Sequence, residues 1–413
     1  MVAGIAPILI ALASFFLRLF NLGDIKTFIF DEVYYVDGAR DLLKFGVEVS
    51  GNSPEFIVHP PIGKWLIAGG IQIFGDNAFG WRFATALAGS LMILLIALIA
   101  HRLFRNSLLT ALASALMAVD GLALVHSRTA LLDNFLALFI LAATYLFLRR
   151  QYWWTAIALG LALGTKWSAV YFIAIFGMIA LYRAFTHHSG RALIRPTLER
   201  VWQFALLPAL IYCTSWIGWF ISDRGWARDY SSNIVSSFIH YHQQILGFHT
   251  SLTEKHTYEA NPWSWLIMGR PTSFFYESPK GCGVESCSQE ILAIGTPILW
   301  WAATLALLVT IGFWVSKRDK QAEILLVVIG ASYLPWFAIQ ERTMFSFYAI
   351  AFEPFFLLTL VYLLSKVVRN QRKIAIAFTA IVLVNFFYFL PIFLGIPITY
   401  NSWADRMWLP SWI

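Results

Sequence analysis

Charged residues are scarce in this chain of 413 residues: they make up 13% of it, whereas 59% of its residues are hydrophobic. Soluble domains carry about 25% charged residues, so the composition excludes an ordinary soluble protein. The apolar runs are as long as membrane-spanning helices, which excludes the short alternating strands of an outer-membrane barrel. The net charge of +7 is spread over short loops between these runs. It therefore indicates membrane orientation and not a nucleic-acid surface.

Cysteine is also scarce, with three residues in all. Cys213 falls within an apolar run and is predicted to be inert. Cys282 and Cys287 share a polar loop, which suits a local disulfide in an oxidising compartment. Their spacing alone leaves open whether they are bonded or free. No nearby pair of histidines completes a zinc site, so we predict no metal site.

Internal repeats, low-complexity tracts and the marks of a cleavable leader are missing as well. The first 20 residues lack a basic region and a small-residue cleavage site, so we expect them to form a retained first span. The lack of a repeat disfavours a transporter or lipid flippase, because many transporters are built from paired halves. We expect a single transmembrane domain over residues 1–413.

Apolar runs of helical length dominate what the sequence does contain. Eleven are predicted to span the membrane: 4–20, 83–101, 108–125, 131–148, 155–165, 168–182, 201–221, 293–315, 322–339, 345–365 and 374–394. In this arrangement half of the Lys and Arg residues fall in loops on one side: Arg102, Arg105, Arg149, Arg150, Arg183, Arg191, Arg195, Arg200, Lys317, Arg318, Lys320, Lys366, Arg369, Arg372 and Lys373. The positive-inside rule makes that side cytoplasmic. The N-terminus is then predicted to lie inside and the C-terminus outside.

Two long loops fall on the opposite, external side. The first, 21–82, has helical apolar spacing over 34–45 and 61–74, which predicts two amphipathic helices at the membrane interface. The second, 222–292, is rich in aromatic and turn residues, and we expect it to be partly ordered against the membrane surface.

The first external loop carries two adjacent acids, Asp31 and Glu32. Carboxylates beside a bilayer are costly unless they meet water or a partner, and they commonly mark function. Asp31 can accept a proton from a hydroxyl as a general base. The alternative is that both acids bind backbone donors at the start of the following helix.

Three cations, Arg128, Lys166 and Arg342, lie at external ends of separate spans. Together they suit the binding of a lipid phosphate. Alternatively, each reaches toward the interface or pairs with Asp133 or Glu341. Composition and spacing thus predict a membrane enzyme or transporter with an external site for an anionic ligand.

Ordered motifs along most of the chain carry a resemblance to one family. They are 30–35, 59–64, 80–83, 127–133, 164–169, 262–265, 335–336 and 342–348. With these motifs the chain resembles the protein O-mannosyltransferases, which are polytopic, all-α membrane enzymes of the GT-C glycosyltransferase fold. The loop 222–292 cannot hold the β-trefoil MIR domain of the eukaryotic members. The resemblance is therefore to the bacterial branch.

The resemblance implies transfer of mannose from a polyprenyl (dolichyl-type) phosphate to Ser or Thr of secreted or membrane proteins, with inversion, outside the cytoplasm. The acceptors would include proteins emerging from translocation, and the membrane would be the bacterial plasma membrane. The lipid-linked donor would be a substrate, and no cofactor would be needed. The implied site consists of the base Asp31 with Glu32, the donor-phosphate ligands Arg128, Lys166 and Arg342, and the site-shaping residues Tyr35, His59, Pro60 and Asp133. The main alternative is another GT-C enzyme that transfers a different sugar to a lipid or glycan. A transporter or flippase is the remote one.

Overall fold

The computed structural model describes residues 4–280, 282–367 and 372–413. Of the predicted loop cations, Arg369 and the side chain of Arg372 lie outside the described residues. The remainder is mainly helical. The α-helices are α1 (Ala6–Leu19), α2 (Glu32–Phe45), α3 (Ile62–Phe74), α4 (Ala78–Phe104), α5 (Ser107–Ala118), α6 (Gly121–His126), α7 (Leu132–Leu148), α8 (Tyr152–Leu163), α9 (Ala169–His187), α10 (Ile194–Val201), α11 (Leu207–Ser215), α12 (Ile217–Ile221), α13 (Ile234–Ser251), α14 (Pro297–Lys317), α15 (Lys320–Tyr333), α16 (Glu353–Val367), α17 (Arg372–Leu394) and α18 (Tyr400–Ala404).

Every predicted span overlaps helical structure, but several helices are short or interrupted. By length and composition, five helices of the described residues could cross a membrane: Ala78–Phe104, Ala169–His187, Pro297–Lys317, Lys320–Ala338 and Lys373–Leu394. The predicted span 108–125 is divided into α5 and α6, because the Asp120 side chain accepts hydrogen bonds from the backbone of Leu122 and Ala123 and starts a new helix. The all-α membrane architecture is confirmed, whereas the count of eleven spans stays a prediction.

The first external loop contains the two predicted helices, α2 and α3. Helix α2 ends at Gly46, whose φ of 74° is the left-handed conformation that favours glycine. Helix α3 packs closely on α4, since a Cβ on Gly70 of α3 would lie 2.4 Å from the carbonyl oxygen of Gly80 in α4. These contacts fix the loop on the helix bundle. Its position in the membrane interface stays a prediction.

The second long loop contains α13 and most of two strands of an unpredicted sheet, whose third strand lies in the last segment of the chain. The first loop holds a separate hairpin of strands β1 (Val49–Ser50) and β2 (Ser53–Pro54). The sheet consists of strands β3 (Thr272–Glu277), β4 (Cys287–Ala293) and β5 (Ile398–Thr399). Strand β4 is central and antiparallel to both neighbours, with Thr272 opposite Ala293 and Cys287 opposite Thr399. A disulfide joins Cys282 to Cys287 beside it. The sheet thus ties the loop to the chain's last segment.

A small aromatic core holds α13 over the first loop. It contains Trp216, Trp219, Tyr241 and Ile245, which are nearly fully buried. The Tyr241 hydroxyl accepts a hydrogen bond from the backbone N–H of Ile57 at 3.0 Å. Helix α13 therefore covers the chain just before the predicted site residues His59 and Pro60.

Candidate active site

The adjacent acids follow a constrained turn. Phe30 has a φ of 51°, a left-handed conformation that is unfavourable for a bulky residue. Its ring stacks on Phe274 at a centroid distance of 4.8 Å and meets Phe347 edge-on at 5.4 Å. This aromatic packing offsets the backbone cost, which is about 1–3 kcal/mol for such a residue. The turn places Asp31 at the N-cap of α2, directly before its first residue.

Asp31 is partly buried and has a mixed electrostatic environment. Burial raises the pKa of Asp31, as does the nearby Asp133, while Lys166 and the nearby Tyr35 hydroxyl lower it, and the result is a pKa of about 6. Burial, with Asp31 nearby, raises the pKa of Tyr35 well above its usual value, so its hydroxyl stays protonated and can donate. A carboxylate with a pKa near 6 suits general-base catalysis near neutral pH.

An ion pair stands beside this carboxylate. The Lys166 ammonium donates to both oxygens of Asp133 at 2.9 Å and lies 5.2 Å from the centre of the Tyr348 ring. The pair borders a small cavity of about 30 Å³, whose other polar walls are Ser168, Ser332, Trp336 and Tyr348. Ligand pockets usually enclose about 300–1,000 Å³. A sugar phosphate therefore needs these walls to move apart.

His59 and Pro60 lie on the same side of the bundle. The His59 ring is 6.0 Å from Tyr35 and 5.4 Å from His249 of α13, and Pro60 is buried. Burial, with the nearby Lys166 and His249, lowers the pKa of His59 well below its usual value, so the ring is neutral. The backbone N–H of Ile62 donates to Gly164 at 2.9 Å, which joins this loop to the one that carries Lys166.

Arg342 approaches from a third direction. Its Nε donates to the backbone carbonyl of His249 at 3.1 Å, and its guanidinium lies 5.9 Å from the ring of Trp336, which lines the cavity. Burial, with the nearby charges of Arg342 and Lys166, lowers the pKa of His249 to about 4. The hydrogen bond that Nε2 of His249 donates to the Val58 carbonyl opposes this shift. The structure thus brings Asp31, Tyr35, His59, Asp133, Lys166 and Arg342 together.

Glu32 has a different environment from its neighbour. It is fully buried, and its two oxygens accept hydrogen bonds from Nε and Nη2 of Arg82, both at 2.8 Å. The backbone N–H groups of Ile29 and Ala130 donate to the same carboxylate. Arg82 also donates to the carbonyls of Leu22, Ile25 and Thr27. Glu32 therefore holds the loop in place and has no free face toward the cavity.

The structure corrects the predicted placement of Arg128. Its Nη1 donates to the carbonyls of Arg18 at 2.8 Å and Phe20 at 2.6 Å, at the C-terminal end of α1. Its charged neighbours are Arg82, Arg18 and Asp24, and not the Lys166 group. Unpaired carbonyls at a helix end attract a cation, so Arg128 fastens α1 instead of joining Lys166 and Arg342.

Two family models together match most of the chain after residue 70. Residues 71–221 match the model described as dolichyl-phosphate-mannose-protein mannosyltransferase, and residues 234–412 match the C-terminal four TMM region of protein-O-mannosyltransferase. This chain belongs to the protein O-mannosyltransferase family. The predicted family is thereby confirmed, and with it the assignment as a glycosyltransferase.

Full-length relatives agree with this membership. The chain is 33% identical to a polyprenol-phosphate-mannose–protein mannosyltransferase of Mycobacterium tuberculosis, over 98% of this chain and 90% of the relative. A Corynebacterium glutamicum protein of the same name is 30% identical, over 93% of this chain and 88% of the relative. Both relatives are bacterial, as the predicted branch requires.

Solved structures confirm the predicted GT-C fold. The Saccharomyces cerevisiae protein O-mannosyltransferase Pmt1-Pmt2 complex, bound to the sugar donor, matches with a TM-score of 0.84 at 16% identity, covering 99% of this chain and 92% of the yeast chain. ArnT from Cupriavidus metallidurans, bound to undecaprenyl phosphate, matches with a TM-score of 0.62 at 16% identity, covering 91% of this chain and 63% of ArnT. At this identity the likeness concerns the fold alone.

Several residues at or near this mannosyltransferase-family site have no role predicted from the sequence. Arg82 lies in one of the quoted motifs, and its pairing with Glu32 could have been proposed from the cost of a buried acid. Lys64 lies in another and forms a buried ion pair with Glu48 at 2.9 Å. His249 and Ser332 carry no sequence signal, because only the packing of α13 and α15 brings them here.

Proposed function

We propose that this protein transfers mannose from polyprenyl-phosphate mannose to the hydroxyl of Ser or Thr in secreted or membrane proteins. One observation carries the proposal: in a chain of this family, Asp31, with its raised pKa, lies beside the Asp133–Lys166 pair, and that pair lines a cavity. The names of the mycobacterial and corynebacterial relatives support the choice of donor and acceptor.

Asp31 acts as the base in the proposed reaction. The acceptor oxygen attacks the anomeric carbon from the face opposite the phosphate, and its proton passes to the Asp31 carboxylate. The bond between the anomeric carbon and the phosphate oxygen breaks, and polyprenyl phosphate leaves. One such displacement inverts the anomeric configuration. The transition state has oxocarbenium character, as in other glycosyl transfers.

Lys166 and Arg342 stabilise the departing phosphate. The Lys166 ammonium has three donors, of which two reach Asp133. Arg342 adds a planar guanidinium that suits bidentate phosphate binding. Charge that grows on the phosphate is stabilised by these fixed cations. The leaving group needs no proton, so the scheme calls for no general acid and no cofactor.

The proposed active site faces the extracytoplasmic side, with the N-terminus in the cytoplasm. Support comes from the two ends of α7 and α9. Asp133 and Lys166 are at one end of these helices, and the loop cations Arg149 and Arg183 are at the other. The positive-inside rule assigns the second end to the cytoplasm. Secreted acceptors, including those emerging from translocation, would meet the site from outside.

The test is transfer of radiolabelled mannose by the purified protein. Polyprenyl-phosphate mannose and a Ser/Thr peptide are expected to yield labelled peptide, and a peptide with alanine at every hydroxyl position is expected to yield none. NMR of the product gives the anomeric configuration. Transfer of an aminopentose from its polyprenyl phosphate to a lipid acceptor, without mannosylation of the peptide, would support the other GT-C reaction and refute this one.

A further inference from the structure

A second cavity, larger than the one at the Asp133–Lys166 pair, lies at the far end of the bundle. It has a volume of about 580 Å³, within the range of ligand pockets. We call it the arginine groove, after its walls Arg150, Tyr152, Arg183, His187, Arg200 and Gln203. Helix α7 has Asp133 at its start and Arg150 two residues after its end, and its 17 residues span about 25 Å at 1.5 Å per residue. The groove is therefore remote from the proposed chemistry.

Aromatic rings hold two guanidinium groups in the groove. Arg200 lies 4.4 Å from the centre of the Tyr152 ring, and Arg183 lies 5.1 Å from that of Phe147. Nη1 of Arg183 also donates to the Tyr152 hydroxyl at 3.1 Å. Stacking on a ring fixes the plane of a guanidinium and leaves its in-plane N–H donors available for an anion. The groove thus carries two pre-organised donor groups.

One N–H of these guanidinium groups has no hydrogen-bond acceptor among the described residues. It is the Nε–H of Arg200, which is buried. The same guanidinium donates to Gln203, which is almost fully buried. Gln203 belongs to a π-helical turn, Trp202–Leu206, that follows α10 directly. Such turns are rare and often lie at functional sites, so an unusual backbone arrangement places Gln203 against Arg200.

Positive charge is in excess in the groove. Of the lining residues, all of which the structure describes, Glu199 is the one acid, and it pairs with the exposed Arg195 at 3.0 Å. Two lining tryptophans, Trp153 and Trp154, are about half exposed. Tryptophan favours the headgroup level of a membrane, so the groove lies where a lipid phosphate would meet it.

From these observations we infer that the arginine groove binds the phosphate headgroup of an anionic phospholipid, on the membrane side opposite the proposed active site. Basic pockets between transmembrane helices are suited to such headgroups. Arg183 and Arg200 supply charge-assisted hydrogen bonds to the phosphate oxygens. The tryptophans at the rim contact the glycerol and acyl regions. This site is independent of the mannosyl transfer proposed above.

Native mass spectrometry of the purified full chain in detergent, titrated with phosphatidylglycerol, tests the inference. Replacing Arg183 and Arg200 with Gln should weaken binding about tenfold or more, since each charge-assisted bond to phosphate is a substantial part of the affinity. The matched control replaces the exposed Arg191 and Lys317, outside the groove, with Gln, and should bind within about twofold of the unaltered protein. An equal loss of lipid affinity in both variants would mean that overall positive charge, and not the groove, determines binding. That result would overturn the proposed site.

Two further arms separate the sources of phosphate and guard against misfolding. If inorganic phosphate competes as well as the lipid, the groove is a site for a soluble anion. If undecaprenyl phosphate binds more tightly than phosphatidylglycerol, the groove is a carrier-lipid site. Either result overturns the phospholipid assignment. Replacing Arg183 and Arg200 with Lys keeps the charge and removes the planar donors. We expect intermediate affinity at an unchanged unfolding temperature. Full affinity in this variant would contradict the role of the stacked guanidinium groups.

Discussion

One buried ion pair contains Glu32, and a second lies beside Asp31. The two pairs have almost the same length but different surroundings. Arg82–Glu32 spans 2.8 Å with both side chains at most 1% exposed, and Lys166–Asp133 spans 2.9 Å with 13% and 7% exposure. The first pair is saturated by backbone groups of two loops. The second borders a cavity. Full hydrogen-bond saturation therefore distinguishes a pair that supports the fold from one that can exchange a partner for substrate.

The largest expected effect is on Asp31, which stands between the pairs. Asp31→Asn should lower mannosyl transfer about 10²–10⁴-fold, as expected for loss of a positioned general base, and leave the unfolding temperature unchanged. Asp37→Asn, on the exposed face of the same helix, is the matched control. Near-normal transfer by Asp31→Asn would remove this residue from the base role.

Breaking the saturated pair should affect stability first. Arg82→Met leaves Glu32 buried without its partner, and such a loss costs about 3–5 kcal/mol. We expect a large drop in unfolding temperature and in folded yield. The double variant Arg82→Met with Glu32→Gln should regain part of the loss, because no unpaired charge remains. An unaltered unfolding temperature in the single variant would show that the pair does not support the fold.

Breaking the cavity pair should affect turnover instead. Lys166→Gln removes a cation from the proposed phosphate site and should lower transfer about 10²–10³-fold, the range for loss of one electrostatic donor. Glutamine at this position keeps an amide donor for the Asp133 carboxylate, and the Lys166 side chain is 13% exposed, so the unfolding temperature should fall less than for Arg82→Met. If Lys166→Gln unfolded as readily as Arg82→Met, the contrast between the two pairs would fail.

Mannosyl transfer at low pH should decrease as Asp31 becomes protonated. Burial raises the pKa of Asp31 to about 6, and a base works in its deprotonated form. The kcat/KM should therefore be high above pH 6 and fall about tenfold per pH unit below it. A pH profile of transfer under subsaturating donor measures this. If kcat/KM began to fall only near pH 4, the usual pKa range of an exposed aspartate, the proposed environment of Asp31 would be contradicted.

The smallest effect is expected at the surface pairs of Arg40. It bonds Asp37 at 2.6 Å and Asp76 at 2.9 Å, but all three side chains are well exposed. Arg40→Met should change the unfolding free energy by about 0.2–1 kcal/mol, the range for exposed pairs. A thermal unfolding series with Arg82→Met checks this. A loss as large as that of Arg82→Met would mean that burial does not decide which pairs matter.

Much of the fold was accessible to sequence reasoning, because helices in a membrane need long apolar runs whatever their neighbours are. The two helices of the first external loop were visible in the spacing of apolar residues. The break at Asp120 and the strands β3, β4 and β5 were not anticipated. The pairing of β4 with β5 joins residues more than a hundred positions apart, and no local pattern reports such a contact.

For the site, the chemical types of Asp31, Lys166 and Arg342 and their common side were predictable from motifs and loop order. The position of Arg128 was not, since the carbonyls at the end of α1 that hold it become available only when the two segments meet. Likewise Trp336 and Tyr348 reach the cavity through a fold of the chain between α15 and α16.

The sequence by itself determined a helical membrane enzyme with two adjacent acids at the start of a helix that follows the first predicted span. Only the tertiary structure decided which acid is free. Neighbouring positions on a helix point about 100° apart, so Glu32 meets Arg82, fifty residues further along, while Asp31 faces Tyr35 and Lys166. A buried carboxylate is stable where every lone pair finds a donor, and those donors come from parts of the chain that only folding brings together.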